Sequence, residues 1–151
     1  MKSIALALAG ALAIATSAFG QGAEMRLVPT AHTFDVLLAR VERAVERHGL
    51  AVVAKASASR GAAARGIRIP GNAVVMVFRN DYAVRMLEAS VAAGIEAPLR
   101  LYLTENADGT ATLSYRRPSA VFRSYGHPEL DRLANELDDL LGRIAKDAAG
   151  P

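Results

Sequence analysis

In the stretch Leu99-Arg100-Leu101-Tyr102-Leu103-Thr104-Glu105-Asn106-Ala107-Asp108-Gly109-Thr110-Ala111-Thr112-Leu113-Ser114-Tyr115, apolar and polar residues change places at every step on both sides of a turn. Leu99, Leu101 and Leu103 alternate with Arg100, Tyr102 and Thr104. Beyond Asn106-Ala107-Asp108-Gly109, Ala111, Leu113 and Tyr115 alternate with Thr110, Thr112 and Ser114. A period of two on both arms predicts a β-hairpin with one greasy and one polar face. Such a hairpin belongs to an antiparallel sheet whose greasy face is covered by helices.

The flanking sequence supplies those helices. Phe34 to His48 carries Leu37, Val41, Ala44, Val45 and His48 on one helical face, with Thr33 as N-cap and Gly49 as stop. His127-Pro128 opens a second helix, with Pro at its first position and a stripe of Leu130, Leu133, Leu137, Leu140, Leu141 and Ile144. Between them, Tyr82 to Ala92 reads as a helix with Ala83, Met86, Leu87, Ser90 and Val91 inward, capped by Asn80 or Asp81 and ended near Gly94. Met25 to Val28 and Leu50 to Ala54 are short strands, and Ser57 to Arg68 is a loop with room for one helical turn. Ala73 to Phe78 is apolar without alternation, which predicts a central strand covered on both faces. The order is β-α-β-β-α-β-β-α, an α+β two-layer sandwich with helices on one face of a largely antiparallel sheet.

The chain has 151 residues, no cysteine and no tryptophan, with 18 Lys plus Arg against 15 Asp plus Glu. It is long enough for one domain with a real core, and too evenly charged for a nucleic-acid binder or a disordered tail. Lys2 followed by the uncharged run Ile4 to Ala15 and by Ala18-Phe19-Gly20 has the layout of a secretory signal peptide cut between Gly20 and Gln21, with a second candidate cut after Ala23. The run is short of a membrane span, so no stable membrane insertion follows cleavage. Residues 1–20 are thus a leader and residues 21–151 a single domain, periplasmic or secreted. Without cysteine, the exported fold holds by packing alone, and thiol catalysis and thiolate metal sites are excluded.

Phe78-Arg79-Asn80, then Gly94-Ile95-Glu96-Ala97-Pro98-Leu99-Arg100-Leu101, Asp108-Gly109, and Ser114-Tyr115 with Pro118 resemble the pattern of the domain of unknown function 302 family. The Thr33-Phe34-Asp35 helix start and the Gly49 stop fit the same pattern, so the resemblance runs from about Thr33 to Pro118. It implies a small two-layer domain that forms dimers, with no established biochemical activity. This chain looks like an exported branch of that family and departs from the pattern in three places. Ala56-Ser57-Ala58 stands where the family commonly has Asp-His, Arg79 where it has Gly, and Asp81 where it has Pro. A role resting on that histidine does not transfer.

No catalytic or metal-binding set stands out. His32, His48 and His127 are far apart, and no Gly-x-Ser-x-Gly elbow occurs. His48 suits a helix C-terminus, His127 suits a cap, and Asp138-Asp139 read as solvated. The remaining constellation is Arg79, Asn80, Asp81 and Arg85, where a buried strand meets a helix, a place where backbone N–H groups and side chains converge. The same residues also read as a helix cap with an Asp81–Arg85 i, i+4 pair. Three functions follow as expectations. The first is an exported homodimer that binds a small anionic ligand or serves as an accessory protein, with no cofactor. The second is an enzyme using the Arg, Asp and Asn side chains of that junction, and the third is a purely structural dimerisation module.

Overall fold

A computed structural model describes residues 24–151; the expected leader, residues 1–20, and its cleavage points lie outside the described residues. Five strands form one sheet in the order β1-β5-β4-β3-β2, with every neighbouring pair antiparallel. They are β1 (Met25–Pro29), β2 (Ala51–Ala56), β3 (Asn72–Phe78), β4 (Leu99–Glu105) and β5 (Ala111–Arg116). The helices are α1 (Phe34–Arg47), α2 (Ala58–Ala63), α3 (Asn80–Ala89), α4 (Pro118–Phe122) and α5 (Pro128–Ala149). The predicted α+β sandwich is therefore the observed one, with α2 and α4 added as short helices and 3-10 turns at Val91–Glu96 and Arg123–Tyr125.

Register explains which face of the sheet is covered. Tyr115 pairs with Leu101, and Leu113 pairs with Leu103, which pairs in turn with Ala73. These residues are buried beneath α1 and α5 together with Val75 and Val77. The intervening row, Leu27, Ser114, Tyr102 and Val74, lies on the other face, where Leu27 is 67% exposed and Tyr102 42%. The helix layer closes through α5, whose Leu130, Leu133, Leu137, Leu141 and Ile144 are almost wholly buried, packed against α1 and α4.

Three local expectations change. β3 is an internal strand but stands fourth in the order, and β4 holds the middle. Its burial alternates, with Ala73, Val75 and Val77 buried and Val74, Met76 and Phe78 half-buried, so only one face is fully covered. The third helix starts at Asn80 and stops at Ala89, because Ser90 takes an extended backbone and the chain continues as a 3-10 turn. That turn carries Ala93 inward and leaves Val91 80% exposed, while Leu87, also expected inward, is 46% exposed. β2 lies one residue later than expected at its start, runs on to Ala56, and bulges between Val52 and Ala54.

The three histidines close the ends of elements. His127 Nδ1 accepts from Glu129 N–H at 3.2 Å and caps α5. His48, just past α1, lies 2.9 Å from Asp147 Oδ2, which ties the end of α1 to the end of α5 and holds the Asp147 carboxyl below its usual range. His32 Nε2 meets Gly150 O at 2.8 Å. Asp138, expected to be solvated, instead accepts from Ser119 N–H at 3.0 Å and from Ser119 Oγ at 2.5 Å, satisfying an orphan donor in the first turn of α4.

Leu101 is fully buried in the middle strand. Leu101→Ala is expected to cost about 2–5 kcal/mol of a stability that is typically about 5–15, as transfer and cavity terms add. Urea denaturation checks this through a lower midpoint.

Candidate functional site

The junction of β3 and α3 brings Arg79, Asn80, Asp81 and Arg85 to one corner, and there the charges close on one another. Arg79 donates from Nε and Nη2 to the two carboxylate oxygens of Asp81 at 2.6 and 2.9 Å, and its guanidinium lies 3.8 Å from the centroid of the Tyr82 ring. Arg85 forms a second two-pronged pair, not with Asp81 but with Glu136 of α5, both bonds at 2.8 Å. The hydrogen bonds from the arginines hold the Asp81 and Glu136 carboxyls below their usual range and raise both guanidinium values. The two carboxylates are therefore charged at neutral pH, and their favourable contribution is lost as pH falls through the lowered values. These pairs are exposed, so salt screens them. The cap of α3 is Arg79 by backbone position, with no side-chain cap hydrogen bond, so neither Asn80 nor Asp81 caps the helix. The adjoining cleft, lined by Phe78, Tyr82, Met86 and Leu137 among others, holds about 20 Å³, room for a single water.

A second place has the opposite character. Between the β1–β5 side of the sheet and α5 lies an open groove of about 510 Å³. The sheet contributes Arg26, Tyr115 and Arg117: Arg26 is the register partner of Tyr115, and Arg117 follows two residues on. The helix contributes Asn135, Asp138, Asp139, Gly142, Arg143 and Lys146. Their spacing of three, four, seven, eight and eleven from Asn135 makes a polar stripe on α5 beside its apolar one.

Among the described residues, none of Arg26, Arg117, Arg143 and Lys146 forms an ion pair with a carboxylate. The Nε of Arg117 is shut away from solvent with no hydrogen-bond partner, the one such side-chain atom among the described residues. A buried donor left unpaired costs about 1–3 kcal/mol, and more when it belongs to a charged group. Tyr115 is 6% exposed, and burial pushes its phenol up while the nearby Arg26 and Arg117 pull it back. Gly142 sits inside a 22-residue helix, where glycine costs about 0.8–1.0 kcal/mol relative to alanine. A Cβ at that position would meet nothing within 4 Å, so packing gives no reason for the glycine. Among the described residues there is no cluster of three or more His, Asp or Glu able to hold a metal ion.

Residues 27–148 match the model of the family described as "Domain of unknown function DUF302". The chain belongs to the DUF302 family. No curated protein matches it. Among solved structures, an uncharacterized conserved DUF302 protein from Bacillus stearothermophilus is similar, with a TM-score of 0.74 at 17% identity over 83% of this chain and 98% of that one. That likeness is one of fold. The DUF302 match reaches from β1 into α5 and so spans the groove's lining except Arg26, as well as the corner.

Asn80 is exposed and caps nothing. Asn80→Ala is therefore expected to change stability by no more than about 0.5 kcal/mol, against the roughly 1 kcal/mol of a lost cap. Thermal unfolding of the variant distinguishes the two.

Proposed function

We propose that this DUF302 protein is an exported binding protein for a small anionic ligand, held in the groove between β5 and α5, and that it works as a homodimer without catalysis of its own. The observation that carries the reading is the contrast between two sets of cations. At the corner each arginine is already neutralised by a carboxylate. In the groove Arg26, Arg117, Arg143 and Lys146 line a hollow of ligand size with no ion pair among the described residues. An anion there gains charge-assisted hydrogen bonds from cations that no carboxylate holds. At the corner it first has to displace Asp81 or Glu136.

Export fits the sequence pattern of the leader, and a cut after Gly20 or after Ala23 leaves β1 whole. Dimerisation fits the uncovered sheet face that carries Leu27, Tyr102 and Val74. Intact mass of the protein recovered from the periplasm or medium, followed by light scattering, is expected to give a chain lacking residues 1–20 and a mass of two copies. Retention of the leader or a monomer at tens of micromolar removes that part of the reading.

Ligand binding is checked by thermal shift against inorganic phosphate, phenyl phosphate and succinate. A ligand at 100 times its Kd stabilises by about 2.7 kcal/mol. Arg117→Met is expected to leave the unliganded melting temperature no lower, because it removes an unpaired buried donor, and to abolish the shift. The Arg79→Ala, Arg85→Ala double variant is expected to keep the shift. A shift that survives Arg117→Met and vanishes in the double variant moves the ligand to the corner, and no shift with any of the anions overturns ligand binding of this class.

A further inference from the structure

From the groove's charge and its bare helical wall we infer the class of its ligand: a small organic dianion, of the phosphate-monoester type, whose body lies against the backbone of α5 at Gly142. This rests on the reading of the groove as an anion site and goes beyond it in naming the charge and the position of the uncharged part.

Charge sets the first half. Arg26, Arg117, Arg143 and Lys146 exceed Asp138 and Asp139 by two positive charges, and Asp138 is already engaged by Ser119. A monocarboxylate leaves part of this excess uncompensated. A phosphate monoester carries close to two charges at neutral pH and offers three acceptor oxygens, enough for the Arg117 guanidinium and the Tyr115 hydroxyl together. The Tyr115 hydroxyl makes no hydrogen bond among the described residues and, as a phenol whose value burial raises further, has a proton to donate.

Space sets the second half. The hollow of about 510 Å³ is far larger than one phosphate, so a ligand that fills it has an organic body. Gly142 is the place where that body meets the helix. It lines the groove one turn from Asp138 and next to Arg143, and nothing in the structure approaches its Cβ position. Glycine there weakens α5 for no packing benefit, while at that position it leaves no side chain between the ligand and the helix backbone. The neighbouring Arg143 and Lys146 have flexible stems and move aside; a Cβ fixed to the backbone does not.

The test compares inorganic phosphate, phenyl phosphate and benzoate on the mature wild-type chain, Gly142→Ala and Gly142→Leu by calorimetry and thermal shift. Phenyl phosphate is expected to bind the wild type more tightly than either of the others. Gly142→Ala is expected to melt higher in the absence of ligand, yet to weaken phenyl phosphate by about ten-fold or more while inorganic phosphate changes by less than about two-fold. Gly142→Leu is expected to abolish phenyl phosphate binding and to spare the phosphate ion. If both probes bind and both Gly142 variants leave them unchanged, the assignment of the ligand's body to this wall is wrong while the anion site stands. Benzoate binding as tightly as phenyl phosphate overturns the dianion. If no probe binds the wild type, the underlying anion reading falls with it.

Discussion

The packing of α5 onto α1 and the covered face of the sheet is the interaction on which everything else rests. The chain has no cysteine, so no disulfide substitutes for it. Leu130, Leu133, Leu137, Leu141 and Ile144 fill the space above Leu101, Leu103 and Leu113, and each fully buried side chain of this kind contributes about 1.5–3 kcal/mol. Once the stripe is buried, the helix has one orientation about its axis, and its polar residues are carried to fixed places. Glu136 arrives at Arg85, Asp138 at Ser119, and Asp147 at His48. The same rotation aims Asn135, Asp139, Gly142, Arg143 and Lys146 at the groove.

The two charged places then differ in what their neighbours do. At the corner, the side chain two residues along the chain and a carboxylate delivered by α5 satisfy both arginines, and the result is a brace between α3 and α5. In the groove Asp138 turns its oxygens to Ser119 in the first turn of α4 and forms no ion pair there. Its cationic neighbours are left without it. The two places thus differ in whether a carboxylate reaches the cations.

Much of the fold was legible because the patterns were strong and local. The alternation of Leu99 to Tyr115 named the hairpin, and the Leu stripe of α5 named the helix. β3 was harder: its apolar run hides an alternation that burial reveals, since Val74 and Met76 are apolar residues on a half-open face. The end of α3 was misplaced because Ala89, Val91, Ala92 and Ala93 are small or apolar at every step and leave the period blurred. At the corner, the residues that sequence grouped do lie together, but sequence paired Arg85 with Asp81. Its actual partner, Glu136, is 51 residues away. The groove escaped for the same reason, since Arg26, Arg117 and Arg143 come from β1, the end of β5 and α5. A trace of it was present in the polar stripe that begins at Asn135 and in a glycine set inside a long helix.

The outer strands of the sheet have a consequence for how copies of this protein can meet. β1 is five residues long and finishes at Pro29, which has no amide hydrogen to offer a new strand. At the far side, β2 bulges between Val52 and Ala54 and carries Lys55, which reaches back to Glu42 of α1. Both rims are thus poor templates for strand addition, the route by which sheets fuse into ribbons and fibrils. The homodimer proposed above would therefore form through the broad face, as a closed pair rather than an open-ended stack of edges.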